Sequence, residues 1–113
     1  MISEFFVLKK FWKNKKVFLT GHTGFKGSWL SIFLNLLGAK VAGYSLKPEE
    51  KLNLFDLAKI NDLISLSIFG DIRSYEKLKR SIHKFSPDFV IHMAAQPLVS
   101  DSYTNPKYTY EVN

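Results

Sequence analysis

Val17-Phe18-Leu19-Thr20-Gly21-His22-Thr23-Gly24-Phe25-Lys26-Gly27-Ser28-Trp29-Leu30 is the stretch whose reading decides the fold. It runs from a short apolar strand through a glycine-punctuated turn into the start of an amphipathic helix, the order that a dinucleotide site requires. Gly21 lets the chain turn sharply off the strand. Gly24, without a Cβ, lets the backbone approach a pyrophosphate, and Gly27 lets the helix pack tightly on the strand. The helix then offers unpaired N–H groups and the positive end of its dipole to the phosphates. The plain alternative is a tight strand-to-helix turn with no ligand. The apolar strand before the turn and the apolar stripe after it favour the site.

Outward from this stretch the pattern alternates strand and helix. Residues 16–19 form the first strand, short and apolar enough to be buried on both faces. Residues 27–37 form a helix on which Leu30, Phe33, Leu34 and Leu37 recur at helical spacing, with Gly38 as its stop. Residues 40–44 are the second strand, 45–53 a loop marked by Pro48, 54–60 a short helix and 64–69 the third strand. Ser74 caps a helix reaching residue 84, with Leu78 and Ile82 inward; Ser86-Pro87-Asp88 ends it, and residues 89–93 are the fourth strand. Asn105-Pro106 reads as a further helix start. The expected fold class is α/β: the N-terminal part of a Rossmann-like, doubly wound parallel sheet with strand order 3-2-1-4, ending before a fifth strand. Residues 1–15 are read as an N-terminal lead and 16–113 as a partial NAD-binding domain. The ligand crevice then falls at the carboxyl ends of strands one and four, where the strand order reverses. That topology brings Ala94-Ala95-Gln96 to the glycine loop, as site residues or simply as small residues that pack closely.

Composition sets bounds on this reading. A chain of 113 residues is at most one small domain, and 46% hydrophobic with 23% charged residues is the balance of a soluble globular protein. With no cysteine there is no disulfide, Cys-based zinc site or Cys nucleophile, which fits a cytoplasmic location. The net charge of +6 raises nucleic-acid binding as a class. However, Lys9, Lys10, Lys13, Lys15 and Lys16 cluster ahead of the first strand and the other basic residues are scattered, the look of a solvated lead rather than a recognition surface. The start of the chain lacks the order of charges and the apolar run of a signal peptide, and no stretch approaches the roughly 20 apolar residues of a membrane span. Neither nucleic acid nor membrane is therefore expected as a partner. No pair of histidines or carboxylates has metal-ligand spacing.

With these residues in view, a resemblance is specific. Gly21-x-x-Gly24-x-x-Gly27 after Thr20 resembles the extended short-chain dehydrogenase/reductase superfamily. Residues 21–30 as a whole, Gly43-Tyr44-Ser45-Leu46, Gly70-Asp71-Ile72-Arg73 and His92-Met93-Ala94-Ala95-Gln96-Pro97-Leu98-Val99 are similar to the CDP-glucose 4,6-dehydratases in particular, over residues 11–113. His22-Thr23, Lys26-Gly27-Ser28-Trp29 and Gln96-Pro97-Leu98-Val99 separate that family from dTDP-glucose dehydratases and UDP-sugar epimerases. The resemblance implies NAD as cofactor and CDP-glucose as substrate. It implies oxidation at sugar C4, loss of water across C5 and C6, return of hydride to C6, and a homodimer when the fold is complete. It counts Gly21, in the turn, among the cofactor-binding residues, and it places Thr23, Gly24, Phe25, Lys26 and Gly27 around the pyrophosphate, Asp71 and Ile72 at the adenine, and Ala94, Ala95 and Gln96 along the ribose and nicotinamide. Asp71 has a competing role as a turn residue bonding nearby backbone.

Two departures bear on that reading. The acidic residue that commonly takes the ribose 2′-hydroxyl is missing; Tyr44, Ser45 and Leu46 stand in its region. Ser45 can donate to the ribose and Lys47 can tolerate a 2′-phosphate, so residue chemistry alone leaves NADP open and the resemblance favours NAD. The superfamily's Tyr-x-x-x-Lys pair, in which lysine lowers the tyrosine pKa, is expected beyond the present residues, so no catalytic residue is assigned and the isolated chain is expected to be inactive. Tyr75–Lys79 and Tyr103–Lys107 match the spacing only; the second contains Pro106. His92 is read as structural, His83 as a surface residue, and His22 as contributing backbone rather than ring. Phe5, Phe6, Phe11 and Trp12 are expected to cover one sheet edge, with a protein-binding patch as the lesser reading. The exposed apolar edge of strand four, Phe89-Val90-Ile91, suggests a second class, a dinucleotide-binding module completed by a partner chain. Sugar-nucleotide epimerases and reductases of the same superfamily are the nearest enzymatic alternative.

Overall fold

The computed structural model describes residues 2–94. Helix α1 (Ile2–Trp12) leads into strand β1 (Lys16–Thr20), helix α2 (Phe25–Leu36) and strand β2 (Lys40–Ser45). Short helices α3 (Leu54–Leu57) and α4 (Ile60–Leu63), strand β3 (Leu66–Phe69), helix α5 (Tyr75–Phe85) and strand β4 (Phe89–His92) complete the order. The four strands form one parallel sheet in the order β3-β2-β1-β4, as the alternation implied. Val17 pairs with Val41 on one side and with Phe89 on the other.

The pleat divides the core into two layers. Val17, Leu19 and Val41 point to one face, where Leu34, Phe55, Ile60 and Ile64 cover them. Phe18, Ala42 and Tyr44 point to the other, against Leu78, Ile82 and Phe85. This period-two split along β1 and β2 is what a sheet covered on both faces demands. Strands β3 and β4 lie outermost and are only half-buried.

Several local expectations change. Residues 2–12, read as part of a lead, form α1, with Lys9 and Lys10 in its last turn, where the dipole favours cations. Phe11 and Trp12 pack on Phe89 at the β4 edge, with centroids 6.1 and 5.1 Å away, so these two do cover an edge. Phe5 and Phe6 are exposed. On α2 the inward face is Gly27, Ser28, Ser31 and Leu34, and Phe33 points outward, because small residues allow the helix to sit close to the glycine loop. The helix expected over 54–60 is two short ones, broken where Lys59 takes a left-handed φ of 52°. Ser74 occupies the N-cap position of α5, yet its side chain makes no capping bond. The helix start at Asn105-Pro106 lies outside the described residues.

Candidate functional site

The carboxyl ends of β1, β2 and β4 open onto a cleft of about 750 Å³. Strand ends are tied together there. Thr20 accepts the Met93 N–H through its carbonyl at 2.9 Å and through Oγ1 at 3.2 Å, and its hydroxyl meets His92 Nδ1 at 2.7 Å. His92 is thus hydrogen-bonded into the sheet, as read from the sequence. These bonds bring Ala94 against the glycine loop. A Cβ on Gly21, whose φ is +82°, would lie 2.6 Å from the Ala94 nitrogen. The close approach of the turn after β1 to the chain leaving β4 therefore requires a glycine at position 21, for conformation and for space.

The other two glycines differ in kind. A Cβ on Gly27 would fall 1.9 Å from the Gly21 carbonyl oxygen, so the third glycine lets α2 nestle on the loop itself rather than on the strand. A Cβ on Gly24 would meet no neighbour closer than 3.5 Å, and the φ of −76° suits any residue. Among the described residues nothing calls for glycine at 24; what its missing side chain leaves open is the cleft that it lines. Gly24 is also the N-cap of α2, so no side chain caps the first-turn N–H groups, and that turn holds no acid. These are the properties of a cradle for a phosphate.

Ten of the residues anticipated from sequence line this cleft: Gly21, Thr23, Gly24, Phe25, Lys26, Gly27, Ser45, Asp71, Ile72 and Ala94. Ala95 and Gln96 lie outside the described residues. The donor role expected of Ser45 changes. Thr23 has one hydroxyl proton, and it goes to the Leu46 carbonyl at 2.8 Å; Ser45 Oγ, 2.8 Å from Thr23 Oγ1, is therefore the donor in that pair. Lys47 turns its ammonium over the Phe69 ring, 5.8 Å from the centroid. Asp71 takes up the turn role: it accepts the Arg73 N–H at 2.8 Å and pairs with its guanidinium at 2.7 Å. The Arg73 side chain and backbone N–H hold the Asp71 carboxyl below the usual range.

The sequence did not reveal two supports of the site. Tyr44, fully buried, donates to the Asp71 carbonyl at 2.9 Å and fixes the turn at 70–72, and a Cβ on Gly70 would lie 2.6 Å from its hydroxyl oxygen. Burial, then the Asp71 charge, raises the Tyr44 pKa. The His22 ring, read as incidental, is fully buried beneath Gly43, where an added Cβ would lie 2.3 Å from it. Its Nε2 meets Ser67 Oγ at 2.8 Å and its Nδ1 has no partner among the described residues. Burial lowers its pKa from 6.5 to about 4. The far wall of the cleft is residues 46–54, whose end is set by Asn53: its Oδ1 accepts the Asp56 N–H at 2.8 Å. An Asn three residues ahead of an Asp at a helix start was the available signal.

Other groups stand apart from the cleft. Tyr75 and Lys79 lie together on α5, the ammonium 5.9 Å from the ring centroid, and neither lines the cleft. Tyr103 and Lys107 lie outside the described residues. His83 is exposed on α5. Among the described residues, no helix is long and apolar enough to cross a membrane.

Comparison with known proteins agrees with this layout. The chain is 54% identical over 105 residues to a CDP-glucose 4,6-dehydratase of Salmonella typhimurium, covering 93% of this chain and 29% of that protein. The fold matches the epimerase Mth375 of Methanothermobacter thermautotrophicus with a TM-score of 0.63 and 27% identity, over 94% of this chain and 30% of the other. It also matches the Bordetella bronchiseptica enzyme WbmH, solved in complex with NAD+, with a TM-score of 0.57 and 26% identity, over 85% and 31%. The chain thus spans less than a third of the length of each of these relatives. The family model for GDP-mannose 4,6 dehydratase matches residues 18–113, from the third residue of β1 onward, and the chain belongs to that family.

Proposed function

We propose that this chain is the NAD-binding part of a CDP-glucose 4,6-dehydratase. The observation that carries the dinucleotide is Gly24: a glycine that packing among the described residues does not require, at a helix N-terminus with no side-chain cap among them, lining a cleft of about 750 Å³. The 54% identity to the Salmonella enzyme supports CDP-glucose as the substrate of the complete protein. WbmH, solved with NAD+ on the same fold, supports the cofactor.

The residues present fit such a ligand. The first turn of α2 and the Lys26 ammonium meet the pyrophosphate with N–H groups and positive charge. Ile72 offers an apolar surface to the adenine, and Asp71 stands beside it with a carboxylate kept ionised by Arg73. Ala94, held against Gly21, brings the end of β4 to the nicotinamide side, with Ala95 and Gln96 following in the chain. When bound, NAD would supply reversible hydride transfer to the sugar substrate of the complete protein. The part of the work done by these residues is to bind and orient that cofactor.

The test is incubation of the complete protein with NAD and CDP-glucose, followed by mass spectrometry of the sugar nucleotide. A product lighter by one water is expected. A product of unchanged mass with an inverted sugar carbon would make the protein an epimerase instead. Turnover of GDP-mannose with none of CDP-glucose would overturn the substrate assignment.

A further inference from the structure

We propose that Ser45 is a fixed hydrogen-bond acceptor for the 2′-hydroxyl of the cofactor's adenosine ribose, and that the same arrangement disfavours a 2′-phosphate. This deepens the dinucleotide reading above and rests on it. The inference comes from following hydroxyl protons. The Leu46 carbonyl can only accept, so the Thr23 hydroxyl donates to it, at 2.8 Å. The Thr23 oxygen then accepts from Ser45, also at 2.8 Å. Ser45 has no second proton. In the cleft that Ser45 lines, any further hydrogen bond to its oxygen is therefore one that it accepts.

A ribose 2′-hydroxyl brings its own proton and matches that acceptor. A 2′-phosphate brings acceptors and negative charge, and finds an acceptor opposite. In many dinucleotide folds a carboxylate performs this selection from the end of the second strand. Here the second strand ends in Ser45, and a neutral hydroxyl acquires the same polarity from its two neighbours. Thr23 is a positioning residue in this scheme: it acts through Ser45. The opposing consideration is the two cations nearby. Lys47 and Arg73 would reward a phosphate, but the first lies over the Phe69 ring and the second is held by Asp71. A phosphate would have to draw them from those contacts.

The experiment is equilibrium binding to the complete protein of three ligands: NAD, 2′-deoxy-NAD and NADP. Wild type is expected to bind 2′-deoxy-NAD about tenfold more weakly than NAD, the worth of one hydrogen bond of this kind. NADP is expected to bind on the order of a hundredfold more weakly, since acceptors would face each other in a desolvated contact. In Ser45→Ala the loss on removing the 2′-hydroxyl should shrink below about threefold. In Thr23→Val, Ser45 regains a proton to donate, and the preference for NAD over NADP should narrow by about tenfold. A merely structural role for Thr23 would weaken both ligands alike and leave their ratio unmoved. Equal binding of NAD and 2′-deoxy-NAD by wild type, or NADP as tight as NAD, overturns the inference while leaving the dinucleotide reading intact. Failure of all three ligands to bind overturns that reading and the inference with it.

Discussion

Acid should loosen this domain through a single buried imidazole. His22 sits fully buried between Phe55, whose ring is nearly perpendicular to it at 5.3 Å, and Phe69, stacked at 6.5 Å and 17°. One ring nitrogen meets Ser67 and the other has no partner among the described residues. With the proton on Nε2 the orphan is a bare lone pair, whereas a second proton would bury an unpaired cation. Burial therefore lowers the pKa from 6.5 to about 4. The unfolded chain takes up a proton near pH 6.5 and the folded chain does not until about pH 4. Stability is thus complete above pH 6.5, is lost as pH falls toward 4, and levels off below. At about 1.4 kcal/mol per unit, the loss is about 2 kcal/mol from pH 7 to pH 5 and about 3 kcal/mol by pH 4. Urea unfolding of the complete protein across this range measures it, with His22→Gln as the reference that cannot titrate. The difference between the two curves cancels the contributions of other groups, and it should fall by about 2 kcal/mol between pH 7 and pH 5. Parallel curves, or an NMR titration placing His22 near 6.5, would refute the reasoning.

Three substitutions separate packing from ligand binding. Gly24→Ala should leave stability within about 0.5 kcal/mol while weakening NAD at least about tenfold, because its Cβ meets nothing nearer than 3.5 Å among the described residues. Gly27→Ala should cost more than about 2 kcal/mol by urea melt, since its Cβ would collide with backbone 1.9 Å away. Tyr44→Phe should cost about 1 kcal/mol and weaken NAD without abolishing it, because the Asp71 carbonyl loses its donor and the turn at 70–72 its tether.

The strand order was legible because few topologies survive two rules: crossovers turn right-handed, and apolar runs between helices become parallel strands. The glycine loop was legible for a similar reason, since the turn and the close approach at Gly21 permit no side chain. What escaped were effects of position in space. His22 looks like a loop residue until Gly43, on the neighbouring strand, is seen to leave the hollow its ring fills. Phe33 falls on the apolar spacing of α2 yet points outward, because small Ser28 and Ser31 hold the inward face close to the loop. Helix α1 was hidden by its lysines, which suggested a solvated lead, although two of them suit a helix C-terminus. The direction of the Ser45 proton depends on two hydroxyls and a carbonyl brought together by the fold, and no one-dimensional pattern encodes that.

The most direct measurement is a crystal structure of the complete protein with NAD. The pyrophosphate should rest on the first turn of α2 beside Gly24, with the adenine against Ile72 and the adenosine ribose at Ser45. A dinucleotide bound elsewhere, or a pyrophosphate with no contact to that turn, would contradict the assignment of this cleft.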